Sequence, residues 1–276
     1  MCRILAASRC LPSPNERVRP VTASTTPPQL LDTLIESWER QQDAYVNHRA
    51  ERFGIILDAL GYARPELRTV LDIGGGLGSF SKLILERFPR SKVLTLDYDP
   101  AMLELARHNL RDYGDRSAII EANLLDPAWP DALGDEKPDA IVSSTALHWL
   151  PTGKLIALYK RLATVLGQGG VFFNADHLSH SAPGSFFHTV STADDTRQQQ
   201  LAFAEEVPNW DGWWEQFRAV DGFVDLIAER DRRFSDAPEN LETTPTLHTE
   251  ALHVAGFTET GTLWQYFDDH IIYGIR

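Results

Sequence analysis

The chain has 276 residues, 43% of them apolar, with 26 Lys and Arg set against 39 Asp and Glu. That length and composition suit a globular fold with a sizeable core, not a disordered or fibrous chain. The net charge of −13, with only five lysines, argues against nucleic acid as a partner because phosphates demand a basic surface, and no apolar run is long enough to span a membrane.

Residues 1–28 read as a disordered N-terminal tail rich in Arg, Ser, Thr and Pro. Its composition mimics a transit peptide but lacks an amphipathic helix, so a cytoplasmic location is the default expectation. Both cysteines, Cys2 and Cys10, fall in this tail, so neither a disulfide framework nor a cysteine metal site is expected. Residues 29–60 carry apolar positions at helical spacing (Leu30, Leu34, Trp38, Tyr45, Phe53, Leu57), in one helix or in two broken near Asn47-His48. Tyr45 and Arg49 are four apart and share a helix face.

The segment Val70-Leu-Asp-Ile-Gly-Gly-Gly-Leu-Gly-Ser79 reads as a buried strand that ends on an acid, breaks into glycines and restarts as a helix at Phe80–Phe88. A strand that feeds a glycine turn and a helix start is how α/β proteins build a nucleotide site. The spacing is not the G-x-G-x-x-G of a dinucleotide fingerprint. Glycines fall at Gly74, Gly76 and Gly78, position 79 is Ser, and Asp72 precedes the first glycine by two. A carboxylate there would repel a pyrophosphate but could accept hydrogen bonds from a ligand ammonium. The pattern therefore favours a cationic amino-acid nucleoside over NAD.

Lys92–Leu96 follows as a second strand ending at Asp97, where an acid can grip both ribose hydroxyls or merely cap a helix. Asp99 before Pro100 reads as the cap of the next helix. Ala118–Ala122, Asp139–Ser144 and Gly169–Asn174 read as further strands, with a helix at about 153–166 before the last of them.

These landmarks, in register over residues 70–175, resemble motif I and the following strands of the class I S-adenosylmethionine (SAM) methyltransferases. The resemblance implies an α/β, doubly wound Rossmann-like seven-stranded methyltransferase sheet. It divides the chain into a helical cover at 29–60, a SAM-binding core at 66–176, a helical cap insertion at 177–243 and a final helix with edge strands at 244–276. The final helix is expected at Thr246–Ala255 with Gly256 as its stop, followed by antiparallel strands at Gly261–Phe267 and His270–Ile275. As cofactor it implies SAM. Asp72 would accept from the amino group, and Gly74, Gly76 and Gly78 would shape the turn beneath the methionyl part. Asp97 would hold the ribose, with Tyr98, Met102, Asn123 and Leu124 around the adenine. Asn123 stands where the family has Asp, which keeps an acceptor and loses a charge. Ser144, near the position of a family Asn absent here, completes the cofactor set. From the cover, Arg49 could pair with the methionyl carboxylate and Tyr45 could border the sulfonium; the alternative is a surface Arg beside a core Tyr.

The cap is expected to fold as helices at about 195–206 and 211–230, with Trp210, Trp213, Trp214, Phe217 and Phe223 either packed beneath it or lining an acceptor pocket. Trp213 and Trp214 are the candidate substrate contacts. The stretch Ser143–Pro151, with His148-Trp149, resembles the corresponding segment of the trans-aconitate and juvenile hormone acid methyltransferases, which modify small carboxylic acids. Trp149 would then touch the acceptor. His148 could act as a neutral general base, donate to an anionic oxygen, or simply cap and pack. His177 is the second candidate base. His180 completes a His-x-x-His spacing without a clear third ligand, so no metal is expected. The implied reaction is methyl transfer to a small molecule, at a carboxylate or hydroxyl oxygen. N- or C-methylation and a SAM-binding protein without turnover are the alternatives, and an NAD oxidoreductase is disfavoured by the missing third glycine of its fingerprint. The sequence does not give an oligomeric state.

Overall fold

A computed structural model describes residues 27–179, 182–204, 207–235 and 243–276. Of the expected tail at 1–28, residues 1–26 with Cys2 and Cys10 lie outside the described residues, as does His180, while Pro28 already opens the first helix.

The strands β1 (Thr69–Ile73), β2 (Lys92–Asp97), β3 (Ser117–Glu121), β4 (Ala140–Ser144), β5 (Val171–His177), β6 (Glu259–Tyr266) and β7 (Asp269–Ile275) form a seven-stranded sheet in the order β3-β2-β1-β4-β5-β7-β6. The first five run parallel; β7 is antiparallel to both β5 and β6. Strands buried on both faces must be apolar at successive positions, which explains the near-continuous hydrophobic runs of β1, β2 and β4. Alternation with period two divides those runs between two cores. Leu71, Ile73, Ile141 and Phe172 pack beneath α5 (Thr152–Val165) and α9 (Pro245–Ala255). Val70, Val93, Val142 and Phe173 pack beneath α2 (Arg49–Ala63) and α3 (Ser79–Arg87). The strand order reverses between β1 and β4, which opens the crevice where doubly wound sheets bind ligands.

The helical cover is two helices, α1 (Pro28–Tyr45) and α2, parted at Asn47-His48, where His48 adopts φ 56. Asp99 caps α4 (Pro100–Asn109) by accepting from the amides of Ala101 and Met102, with Pro100 at the first position. The cap differs in detail from the sequence expectation. It contains α6 (Phe186–Phe203), α7 (Trp210–Arg218) and α8 (Val224–Phe234). The expected helix at 211–230 is divided because Gly222 takes φ 95, which a continuing helix cannot accommodate. The underside of α7 and Phe223 at the start of α8 pack on α1 and α4: Trp213, Trp214, Phe217 and Phe223 join Leu34, Ile35, Leu77 and Met102. Trp213 Nε1 donates to the Leu34 carbonyl at 3.0 Å, which satisfies its one polar atom inside that core.

Candidate active site

The glycine loop joins β1 to α3 directly at the strand reversal. Gly74 and Gly75 donate to the Leu96 carbonyl at 2.8 and 3.1 Å, which folds the loop across the end of β2. A Cβ on Gly74 would lie 2.4 Å from that of Ala146, so only glycine lets the loop after β4 approach this closely. At Gly76, φ is +56 and a Cβ would meet nothing within 4 Å. The loop thus presents bare backbone to open space, as a ligand-cradling turn requires. Below it, Asp97 accepts from the Gly76 amide at 2.8 Å through Oδ2, and from the amides of Tyr98 and Asp99 at 2.7 and 2.9 Å through Oδ1. Carboxylate oxygens have about four lone-pair sites, and with three amides bound one site on Oδ2 remains for a ribose hydroxyl. The exposed loop backbone and this oriented carboxylate fit the nucleoside and methionyl parts of SAM.

Asp72 is placed differently from the sequence expectation. It is 1% exposed and lies beneath the loop, accepting from Ser81 Oγ at 2.7 Å, and Ser81 Oγ also meets Thr95 Oγ1 at 2.7 Å. Burial, with Asp97 nearby, pushes its carboxyl up to about 7. Asp72 therefore supports the loop from behind, with Ser81 on one of its oxygens.

Around the expected adenine position, the Tyr98 ring lies beneath the Arg233 guanidinium at 4.7 Å, with Phe234 edge-on at 5.9 Å. Asn123 Oδ1 accepts from the Leu125 amide at 2.9 Å, an Asx turn that fixes the side chain at the end of β3. Leu124 is half-buried against the core under α5. Met102 does not line an open wall, because its side chain is buried among Leu77, Ala101 and the cap tryptophans.

The loop after β4 carries the chemistry. Ser144 ends the strand, paired in register with Ala175 of β5. Thr145 then adopts φ 50, a left-handed conformation costly for a β-branched residue, and its amide donates to the Ala175 carbonyl at 2.9 Å. This turn delivers His148 to Asp176, which is fully buried near the end of β5. The His148 backbone amide donates to Asp176 Oδ2 at 3.2 Å, and its Nδ1 lies 2.6 Å from Oδ1. Because Asp176 accepts at Nδ1, Nε2 of neutral His148 carries the lone pair. Burial by itself would raise the Asp176 carboxyl, but the His148 partner and the other facing donors hold it below the usual carboxylate value. The arrangement is an oriented imidazole with a buried carboxylate behind it, able to receive a proton. Trp149 stands beside it, ring centroids 4.9 Å apart and 56% exposed.

His177 is a poor candidate base. Its side chain is half exposed and faces Asp269 and Asp268, each at 3.5 Å. The bond to Asp269 is the main cause that pushes it up to about 9, so it is an imidazolium at neutral pH with no lone pair to offer. Asp269 also closes a buried ion pair with Arg52 at 2.9 Å, a residue to which the sequence reading gave no role.

Four cover and cap residues have protein partners in the structure. Arg49 is held by Glu39 at 2.7 Å and Asp43 at 3.1 Å, so its charge is already matched by two carboxylates. Glu39 in turn accepts from Ser79 Oγ at the start of α3, tying the cover to the glycine loop. Tyr45 serves the cap: its hydroxyl accepts from the Trp210 amide at 3.2 Å and its ring meets Phe203 at 5.3 Å. Trp213 and Trp214 are packed inside the cap and line no acceptor surface.

Comparison with known proteins gives the same direction. A methyltransferase-domain family matches residues 70–170. Over 199 residues the chain is 31% identical to a trans-aconitate 2-methyltransferase of Afipia carboxidovorans, covering 68% of this chain and 71% of that protein. Over 124 residues it is 34% identical to a malonyl-[acyl-carrier protein] O-methyltransferase of Ilyobacter polytropus, covering 45% of this chain and 41% of the relative. Human N-acetylserotonin methyltransferase, solved in complex with SAM, shares the fold at a TM-score of 0.51 with 16% identity, over 91% of this chain and 60% of the human one. The glycine loop, the acids at the ends of β1 and β2 and these relatives lead to one conclusion: the chain belongs to the class I SAM-dependent methyltransferases, in the branch that contains the trans-aconitate 2-methyltransferases.

Proposed function

We propose that this SAM-dependent methyltransferase methylates an oxygen of a small molecule, a carboxylate or a hydroxyl, with His148 as the group that meets the acceptor. The observation that carries the reading is the His148–Asp176 pair, placed beside the strand reversal by adjacent parallel strands. Two curated relatives are named for carboxyl-bearing compounds, trans-aconitate and malonyl-acyl-carrier protein, which supports the carboxylate half of the reading.

When bound, SAM supplies an electrophilic methyl group on a sulfonium. Displacement there demands position and dryness more than new covalent chemistry from the protein. Asp97 would accept from a ribose hydroxyl, Tyr98, Asn123 and Leu124 would enclose the base, and the Gly74–Gly78 backbone with Ser144 would border the methionyl end. The cover and cap would exclude water from above. For a hydroxyl acceptor, His148 Nε2 takes the acceptor proton while Asp176 stabilises the resulting imidazolium. For a carboxylate acceptor no proton need be removed, and protonated His148 would donate from Nε2 to the non-attacking oxygen.

The test is methyl transfer from labelled SAM across a panel of small carboxylic acids, phenols and amines. Label in a base-labile ester or an ether is expected, with loss of turnover in His148→Ala. Transfer to amines alone would refute the oxygen assignment.

A further inference from the structure

The cap helix α8 does more than cover the site: it is bonded to the wall that faces the adenosine. Arg233 Nη1 donates to the Tyr98 carbonyl at 2.7 Å, Nη2 to Glu121 at 2.6 Å, and Nε to Glu229 at 2.6 Å. With all three nitrogens engaged, the planar guanidinium is fixed in one orientation, its Cζ over the Tyr98 ring at 4.7 Å from the centroid. One turn earlier, Arg230 donates to Asp99 Oδ2 at 2.8 Å and lies 3.7 Å from the centre of the Trp214 ring. Both arginine side chains are largely buried.

One detail connects these bonds to the cofactor. The Tyr98 carbonyl and the Asp99 amide belong to one peptide plane, which is rigid. Arg233 holds the carbonyl end of that plane, and the amide end donates to Asp97 Oδ1 at 2.9 Å. Arg230 holds the side chain of the same Asp99. The charges also demand such partners, because Asp97 and Glu121 stand opposite each other in register across β2 and β3, with Asp99 two residues beyond.

We propose that Arg233, assisted by Arg230, is a positioning residue for the cofactor: through the Tyr98–Asp99 peptide it sets the Asp97 carboxylate and the Tyr98 ring against the adenosine. The inference rests on the placement of adenosine proposed above. Docking of α8 and adenosine binding are then linked, and the linkage is reciprocal. The acceptor side of the enzyme thereby senses whether the methyl donor is loaded.

The test uses the full chain and S-adenosylhomocysteine, with calorimetric titration and amide hydrogen exchange. Arg233→Ala is expected to raise the dissociation constant about tenfold, with Arg233→Lys intermediate because it keeps charge without the fork. Arg232→Ala, which removes only an exposed pair to Glu229, is expected to stay within about twofold. In the unaltered protein, saturating S-adenosylhomocysteine should slow exchange over residues 224–234, and Arg233→Ala should abolish that slowing. Unchanged affinity in Arg233→Ala, equal losses in Arg232→Ala, or exchange in α8 indifferent to the ligand would each overturn the proposal. The exchange measurement needs no variant, so it stands even where a substitution impairs folding. Asp97→Ala tests the placement of adenosine itself and loses affinity whether or not α8 is coupled.

Discussion

Replacing Asp176 with Asn exchanges a carboxylate for an amide of nearly the same shape, and the surroundings make that change severe. Three N–H groups converge on two carboxylate oxygens: His148 Nδ1 and the His177 amide on Oδ1, at 2.6 and 3.0 Å, and the His148 amide on Oδ2 at 3.2 Å. An Asn offers one acceptor oxygen. With its oxygen at the Oδ1 position, the NH2 group faces the His148 amide. Turned the other way, it faces the His177 amide and imposes on His148 the tautomer with its proton on Nε2. Either orientation leaves a buried donor facing a donor, at a cost of about 1–3 kcal/mol. For a chain of this size that corresponds to a fall in Tm of roughly 2–4 °C per kcal/mol. Turnover on a hydroxyl acceptor is expected to fall by about 10²–10⁴-fold, the usual worth of a general base, while affinity for S-adenosylhomocysteine is retained. Stability should also change its pH dependence. The Asp176 carboxyl titrates below its ordinary value in the folded state, so its contribution is present above that ordinary value and lost as pH falls through the lowered one. Asn abolishes that acid limb. The measurements are steady-state kinetics with the best acceptor of the panel, thermal unfolding, and stability as a function of pH. A variant with kcat within about threefold of the parent and an unshifted Tm would refute the pairing and its role.

Asp97→Ala removes the acceptor of three backbone amides and the proposed ribose contact; S-adenosylhomocysteine affinity should fall by about 10²–10³-fold, and an unchanged titration would exclude that contact. His177→Gln concerns stability alone. Because its pKa rises from 6.5 to about 9 on folding, His177 stabilises the parent fully below about 6.5, and that contribution disappears as pH rises through 9. Urea midpoints measured on both sides of that window should therefore converge in the variant, and an identical pH dependence would disprove the ion pairing with Asp269. Trp213→Ala should cost about 3–5 kcal/mol by emptying the packed underside of α7, which equilibrium unfolding would register. A loss below about 1 kcal/mol would show that the cap is not packed as described.

The parts of the fold legible in the sequence are those where one residue's neighbours in the chain are also its neighbours in space. The apolar runs of β1, β2 and β4 and the acid-x-Gly-x-Gly-x-Gly turn are local patterns, and the structure places them at the strand reversal. α6 starts nine residues before the expected 195 because Ser185 caps it, accepting from the His188 amide, while the helix behind is polar and buries little. The division of α7 from α8 depends on one glycine conformation. Site residues were harder for a different reason. Asp176 partners His148 only because β4 and β5 are adjacent, and Arg233 meets Glu121 across 112 positions of sequence. No period or spacing encodes such meetings. Trp213 and Trp214 show the opposite error, since aromatic residues suited to a pocket are equally suited to a core, and burial decides between them.

The His148–Asp176 pair is assembled from the loop after β4 and the end of the neighbouring β5, held in register by the Ser144–Ala175 pairing. No side chain of α6, α7 or α8 contributes to its hydrogen bonds among the described residues. The cap can therefore accumulate substitutions, insertions or a changed helix without disturbing how the proton is handled. Proton handling and the cap are thus carried by separate parts of the chain, and it is the cofactor wall, through Arg230 and Arg233 of α8, that the cap holds.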